Sequence, residues 1–301
     1  MFTLKHLSAL FVGALLLLIG LDHERIQAKS KDGHNRTNVA GVLLGPCDSA
    51  IAQGPNGSDD DYSNASINSP STPEGLTTNR ASVVFKNTVE NAGTGDDAFI
   101  ITIPSSEPGF AFEISNDSGE HYQVLYRSAS NVTLPVPHNA SVTFFIRIMV
   151  PAGLKALTGY DTVVRATSTI DPAVTNETID RIYTGFIRLD SAARIVGPNS
   201  TPDISRAVPG SELEFAVTYA NISSAGGVGN SLLTARNLVI NENGNAAPNN
   251  WATTTEHIVG ASDNHGGQIL GDSEGSTSLT LIVARLEPGQ SGVFKFRRRI
   301  R

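Results

Sequence analysis

Few residues in this sequence have the type and spacing that chemistry needs. The densest acidic run is Asp59-Asp60-Asp61, flanked by Asn56, Ser58, Ser63 and Asn64. Oxygen-rich clusters of this kind can wrap Ca²⁺, which takes about 6–8 oxygen ligands. The central Gly and closing Glu of an EF-hand loop are missing, so a solvated polar stretch is the simpler reading. Asp96 and Asp97, at the edge of a strand and a turn, are a second weak calcium candidate. Calcium is therefore the one cofactor the acidic residues leave open. The seven histidines include no pair spaced for zinc, and no His-Glu-x-x-His or Cys/His pattern occurs. They read as exposed loop residues. His257 and His265 are ligand-binding candidates with Trp251, because they share the Gly-rich stretch Trp251–Gly267 with that lone Trp.

Trp251 carries two readings. An exposed indole in the Asn249-Asn250-Trp251 loop would stack on a sugar or anchor a protein partner. A buried one would plug a hydrophobic core, the commoner place for a lone Trp. Serines are abundant, yet no Gly-x-Ser-x-Gly elbow sets a base beside a nucleophile. Ser224–Asn230 is Gly-rich and follows a strand, but no Lys-Ser/Thr and no helix follow it, so it reads as a flexible loop. Carboxylate pairs of a glycosidase cannot be judged without a fold. The balance falls on a protein that is not an enzyme.

The elements that must position these residues are strands. The chain has 301 residues, 17% charged and 40% hydrophobic, with Ser, Thr, Asn and Gly dominating the rest. A net charge of −7 argues against nucleic acid as a partner, because phosphate binding needs clustered Lys and Arg. The exception is Lys295-Phe-Arg-Arg-Arg-Ile-Arg301, read as a last strand with a basic solvent face. The single Cys47 allows no intramolecular disulfide and reads as buried or inert.

Residues 1–28 read as a signal peptide. Lys5 and His6 precede the apolar run Leu7–Leu21, and Ala28 ends a candidate cleavage site. The run is short of the roughly 20 residues a span needs, so membrane contact is expected only through this segment if it stays uncleaved. The expected location is secreted or cell envelope. Residues 29–75 read as a polar, weakly ordered extension, with Val39–Leu44 the only strand-like part.

From there short strands alternate with turns, and no sustained helical period occurs. Ala81–Val89, Ala98–Ile103, Phe110–Ile114, Tyr122–Tyr126, Ser141–Val150 and Tyr160–Ser168 form one set, the second strand stopping at Pro104. Thr184–Ile195, Leu213–Tyr219, Asn237–Asn241, Leu279–Val283 and Val293–Ile300 form another. In Leu213–Tyr219 the residues Leu213, Phe215, Val217 and Tyr219 share the core face. The halves echo each other. Val89-Glu-Asn-Ala-Gly93 matches Tyr219-Ala-Asn221 and its Gly-rich turn, and Pro137–Ala140 matches Pro288–Gln290, each feeding a long strand. This is a weak repeat of sandwich size, about 110–120 residues. The expected fold is all-β: two tandem immunoglobulin-like β-sandwiches, at 76–186 and 187–301.

Val208-Pro-Gly-Ser-Glu-Leu-Glu-Phe-Ala-Val-Thr-Tyr-Ala-Asn221 resembles the opening of DUF11-type repeats of bacterial surface proteins, and Leu286-Glu-Pro-Gly289 resembles their end. Asn91–Asp97, Val150-Pro-Ala-Gly153 and Gly159–Val164 make the first half resemble NEW3-type domains. The resemblance implies secreted or envelope-attached immunoglobulin-like modules. The motifs are turn and strand grammar and carry no chemistry. Such modules often stand in long arrays or beside a catalytic domain, and this chain shows neither a catalytic domain nor a C-terminal sorting signal. The expected role is structural or adhesive, through loops near Gly226-Gly227 and Trp251–Gly267 and through edge pairing by the last strand. Partners would be cell-surface protein, polysaccharide or a second copy. The alternative is a carbohydrate-binding or accessory module of an extracellular hydrolase system.

Overall fold

A computed structural model describes residues 38–51, 62–67, 81–126, 132–197, 200–224, 231–247 and 250–301. The signal segment, Asp59–Asp61 and Gly226-Gly227 lie outside them. The described chain is nearly all strand, folded as two β-sandwiches in tandem. The first uses β1 (Val42–Pro46), β2 (Tyr62–Ser66), β3 (Ser82–Asn91), β4 (Asp97–Ser106), β5 (Ala111–Ser115), β6 (Gln123–Leu125), β7 (Val132–Val136), β8 (Ser141–Met149), β9 (Gly159–Ser168) and β10 (Thr175–Tyr183). One sheet runs β1-β3-β8-β5-β6 and the other β2-β10-β9-β4-β7. All pairings are antiparallel except β2, which lies parallel on β10.

The alternation of apolar and polar residues builds these sheets, because successive side chains of a strand point to opposite faces. On β8, Phe144, Ile146 and Ile148 are fully buried while their neighbours are only half covered. On β4, Phe99, Ile101 and Ile103 do the same from the opposite sheet. Each such side chain contributes roughly 1.5–3 kcal/mol on burial, which is how a fold with one cysteine holds without disulfides.

The second sandwich uses β11 (Ile187–Val196), β12 (Glu212–Asn221), β13 (Ala235–Asn243), the one-turn helix α1 (Trp251–Thr254), β14 (Thr255–Asp263), β15 (Gln268–Leu270), β16 (Ser278–Leu286) and β17 (Ser291–Ile300). One sheet runs β11-β12-β17-β14 and the other β13-β16-β15. Val217, Tyr219, Leu281, Val283, Phe294 and Phe296 form its core.

The sequence echo is a structural one. Asn91 ends β3 and Asn221 ends β12, and both are buried. Asn91 Nδ2 donates to the carbonyls of Gly95 and Val136, both at 2.9 Å. Asn221 Nδ2 donates to Leu233 (2.7 Å) and Leu286 (3.1 Å). Each side-chain oxygen accepts the backbone N–H two residues on, from Gly93 (2.9 Å) and Ser223 (3.0 Å). Each asparagine's backbone also exchanges hydrogen bonds with the next turn: Asn91 with Asn139 and Ala140, Asn221 with Gly289 and Gln290. Asn139 and Gly289 both take positive φ, 57° and 75°. One buried amide thus ties a strand end of one sheet to a strand end of the other in each sandwich.

Several expectations are revised. Pro104 does not stop β4; the strand runs on to Ser106 with a register shift against β9 between Thr102 and Ser105, the irregularity at which proline is tolerated. Within the polar stretch 29–75, Val42–Pro46 and Tyr62–Ser66 are strands, each an edge of one sheet of the first sandwich. Tyr62–Ser66 has no apolar run to announce it, because its partner β10 supplies the register. The last strand is not an edge: β17 lies between β12 and β14. Its outward arginines face carboxylates. Glu214 on β12 pairs with Arg194 on β11 and Arg297 on β17, Arg299 with Glu212, and Arg301 with Glu256. Hydrogen bonding from Arg194, ahead of the opposing effect of burial, holds the Glu214 carboxyl below the usual range. The basic face is a cross-strand charge ladder within the molecule.

Candidate functional site

Trp251 is buried, at 9% exposure. It opens α1, and its ring lies over Gly244, the first residue after β13. The other contacts are Phe296, 6.2 Å between ring centroids, and Arg298, whose guanidinium carbon is 3.9 Å from the ring centroid. Arg298 is itself 1% exposed and meets no carboxylate in any described ion pair. It donates to Thr255 Oγ1 (2.6 Å), Thr255 O (3.2 Å) and Ser276 O (3.1 Å). Burial pushes its pKa down to about 10, so it stays charged at neutral pH. A desolvated cation over an indole face is worth about 2 kcal/mol. Arg298 sits on the inner face because β17 alternates Phe294, Phe296, Arg298 inward.

His257 is not a loop residue. It lies on β14 opposite Arg298, buried, with Nε2 2.7 Å from Asp272 Oδ1 and Nδ1 without a hydrogen-bond partner. Asp272 also accepts from the backbone of Gly260 and Ala261, which closes the register shift of β14 between Ile258 and Ser262. Burial works to raise the Asp272 pKa, but His257 and these amides outweigh it and hold the carboxyl low. The pair therefore fastens a strand irregularity. His265 stands elsewhere, half on Tyr219 in an edge-on ring contact with 6.3 Å between centroids. Its backbone N–H and that of Gly267 donate to Asp263, which also accepts from Tyr219 Oη at 2.7 Å. The structure thus brings Trp251 and His257 toward Arg298 and leaves His265 apart.

Asp97 is buried and its carboxylate accepts from Ser168 Oγ (2.5 Å), Ala98 N (2.7 Å), Thr169 Oγ1 (3.0 Å) and Thr169 N (3.2 Å). Burial raises its pKa and these donors more than reverse that. Asp96 accepts from the backbone of His138 at 2.9 Å. Both side chains lock turns, and among the described residues no group of three or more His, Cys, Asp or Glu is gathered for a metal. Cys47, half-buried at a positive φ of 56°, has Sγ 3.0 Å from Ser231 Oγ, where the first sandwich meets the second.

The cleft that sequence reasoning missed lies in the second sandwich. Its volume is about 360 Å³, and it is walled by Phe215, Val217, Phe296, Trp251, Glu242 and the small residues of β11 around Ala193. Glu242 points among these rings with its pKa raised by burial. No sequence signal marked it, because Glu242 belongs to a strand whose expected extent ended at Asn241.

The buried Trp251 has a direct optical consequence. Its emission is expected to be blue-shifted and poorly quenched by acrylamide. A Cβ on Gly244 would stand 2.2 Å from the indole, so Gly244→Ala is expected to push the ring outward, shift the emission to the red and cost about 1–3 kcal/mol. A red-shifted, freely quenched spectrum in the parent chain would contradict the packing.

No family model matches the chain, and no curated protein matches it. Among solved structures it is similar to the C-terminal domain of the Streptococcus pyogenes antigen I/II-family protein AspA, at 10% identity over 87% of this chain and 92% of that one, with a TM-score of 0.37. The C-terminal domain of the Streptococcus agalactiae AgI/II polypeptide BspA is similar at 9% identity over 86% and 91%, with a TM-score of 0.32. The N-terminal domain of PorA is similar at 14% identity over 48% and 98%, with a TM-score of 0.31. These scores carry nothing about ligand or activity. No helix among the described residues is long and apolar enough to cross a membrane.

Proposed function

We propose that this chain is a non-catalytic, exported structural or adhesive protein that acts through loop and sheet-edge contacts at the cell exterior. One observation supports this above others: the polar side chains best suited to chemistry are used as internal fasteners. Asp97, Asp263 and Asp272 each accept from several donors in a turn or strand irregularity, and His257 is sealed against Asp272. Export rests on the basic-then-apolar opening Lys5–Leu21. The sugar-stacking alternative needs an exposed indole, and Trp251 is covered by Arg298. The test uses the full chain produced in bacteria with its N-terminal segment intact. It is expected in extracytoplasmic fractions, and beads coated with it are expected to adhere to bacterial surfaces saturably, competed by the free chain. Cytoplasmic retention, or ester, peptide or glycoside turnover abolished by Asp272→Asn, would sink this reading.

A further inference from the structure

The two sandwiches can be aligned strand by strand through their buried asparagines, and the alignment shows where the second is open. Asn91 binds the carbonyl of Val136, which stands opposite Asp97 in the β4–β7 pair. Asn221 binds the carbonyl of Leu286, which stands opposite Ala235 in the β13–β16 pair. So β4 corresponds to β13 and β7 to β16. Likewise Val42 of β1 and Ile187 of β11 stand opposite the two asparagines, so β1 corresponds to β11.

In the first sandwich the far edge of β4 is covered by β9, and β10 follows and packs across onto β1. In the second, no described strand lies along the far edge of β13. The inner side of β11 is accordingly uncovered, with Leu189 and Ser191, opposite the core residues Tyr219 and Val217, both exposed. The cleft of about 360 Å³ fills this gap. The inward residues of β4 run Asp97, Phe99, Ile101, Ile103, and those of β13 run Ala235, Leu238, Ile240, Glu242, with Asn237 absorbing one extra residue at φ 52°. Where Ile103 and Val164 of β9 are both buried at the register shift of the β4–β9 pair, Glu242 faces an open space walled by Trp251, Phe215 and Phe296.

We propose that the outer edge of β13 is a strand-acceptor site. An extended segment of another polypeptide adds antiparallel to β13, as β9 does to β4, and places a lysine or arginine side chain in the cleft against Glu242. The backbone edge supplies unpaired N–H and C=O groups. The rings pack the aliphatic stem of the incoming side chain, and the carboxylate receives its charge. This deepens the proposed function by naming one edge and the chemistry of its partner; bacterial-surface adhesion through loops would survive its failure.

The experiment titrates the full chain with fluorescent peptides built on residues 159–168, the β9 sequence, which contains no Trp. One peptide carries Val164→Lys and the other Val164→Glu. The Val164→Lys peptide is expected to bind saturably, by anisotropy, and to change Trp251 emission. Glu242→Gln is expected to weaken it roughly tenfold, the factor that 1.4 kcal/mol represents, and Ser191→Tyr, at an exposed position beside the cleft, to block it. No saturable binding at millimolar peptide overturns the proposal. Equal binding of the Val164→Glu peptide overturns it too, since the site would then not read charge. Self-association that rises with chain concentration and is lost in Ser191→Tyr would assign the edge to a second copy instead and likewise overturn it.

Discussion

At pH 9 the Asp180→Asn variant is expected to unfold at a distinctly higher urea concentration than the parent, and at pH 4 to show no such advantage. Asp180 lies on β10 with no solvent exposure, and its carboxylate Oδ2 accepts from Asn87 Nδ2 at 3.0 Å. Asp180 Oδ1, Asn87 Oδ1 and the hydroxyls of Thr162 and Thr178 are buried without partners. Burial pushes the carboxyl up to about 8, against a smaller lowering by Asn87. A raised folded pKa means the native state holds the proton that the unfolded chain releases near pH 4. Stability is therefore fully present below about pH 4 and falls by at most about 1.4 kcal/mol per pH unit as pH rises towards 8. Asn keeps the shape and removes the charge, so the difference between variant and parent isolates this one group. The low carboxyls Asp97, Asp272 and Glu214 act in the opposite sense and lower, losing their contribution as pH falls below about 4. A parent–variant difference that stays flat from pH 4 to pH 9 would show that Asp180 is hydrated in solution.

The second large effect is expected from the buried asparagines. Asn221→Ala removes the donor to the Leu233 and Leu286 carbonyls and the acceptor for the Ser223 backbone and hydroxyl. Each buried group left unmade costs roughly 1–3 kcal/mol. A loss of several kcal/mol is expected, near the whole stability of a typical domain. Asn91→Ala is expected to match it in the first sandwich, where the Gly95 and Val136 carbonyls and the Gly93 amide lose their partners. Asn221→Asp keeps the acceptor but turns an oxygen toward two carbonyls, so it does not rescue. The control is Asn241→Ala on the exposed side of β13, whose bond from Thr280 faces solvent, expected to change stability by less than about 0.5 kcal/mol. Urea unfolding of the four variants decides the matter. An Asn221→Ala effect as small as the control's would mean the amide is not the tie between the sheets.

The sequence by itself determined the class of fold and many of the strands that form each core, though not β7 with its buried Val132, Leu134 and Val136, nor β10. Alternation in Phe144–Ile148, Phe99–Ile103 and Val217–Tyr219 is a local property, since the pleat repeats every two residues whatever the strand pairs with. It also marked both asparagine turns, because Asn followed by small residues is turn chemistry. Other features were decided only by the tertiary structure. Tyr62–Ser66 and Thr255–Asp263 are strands through their neighbours, β10 and β17, and the latter carries its own irregularity. The last strand lies inside a sheet because β14, from a Gly- and His-rich stretch, pairs along its far side. His257 left the class of loop residues for the same reason. Burial of Trp251 depended on Gly244, just after β13, and on Phe296 and Arg298 of β17, some fifty residues away in the chain. Asp180 and Glu242 could not be ranked among 29 acidic residues, because a carboxyl's pKa is set by what surrounds it. The open edge of β13 is legible only when the two sandwiches are laid side by side, since an edge is defined by the strand that does not follow it.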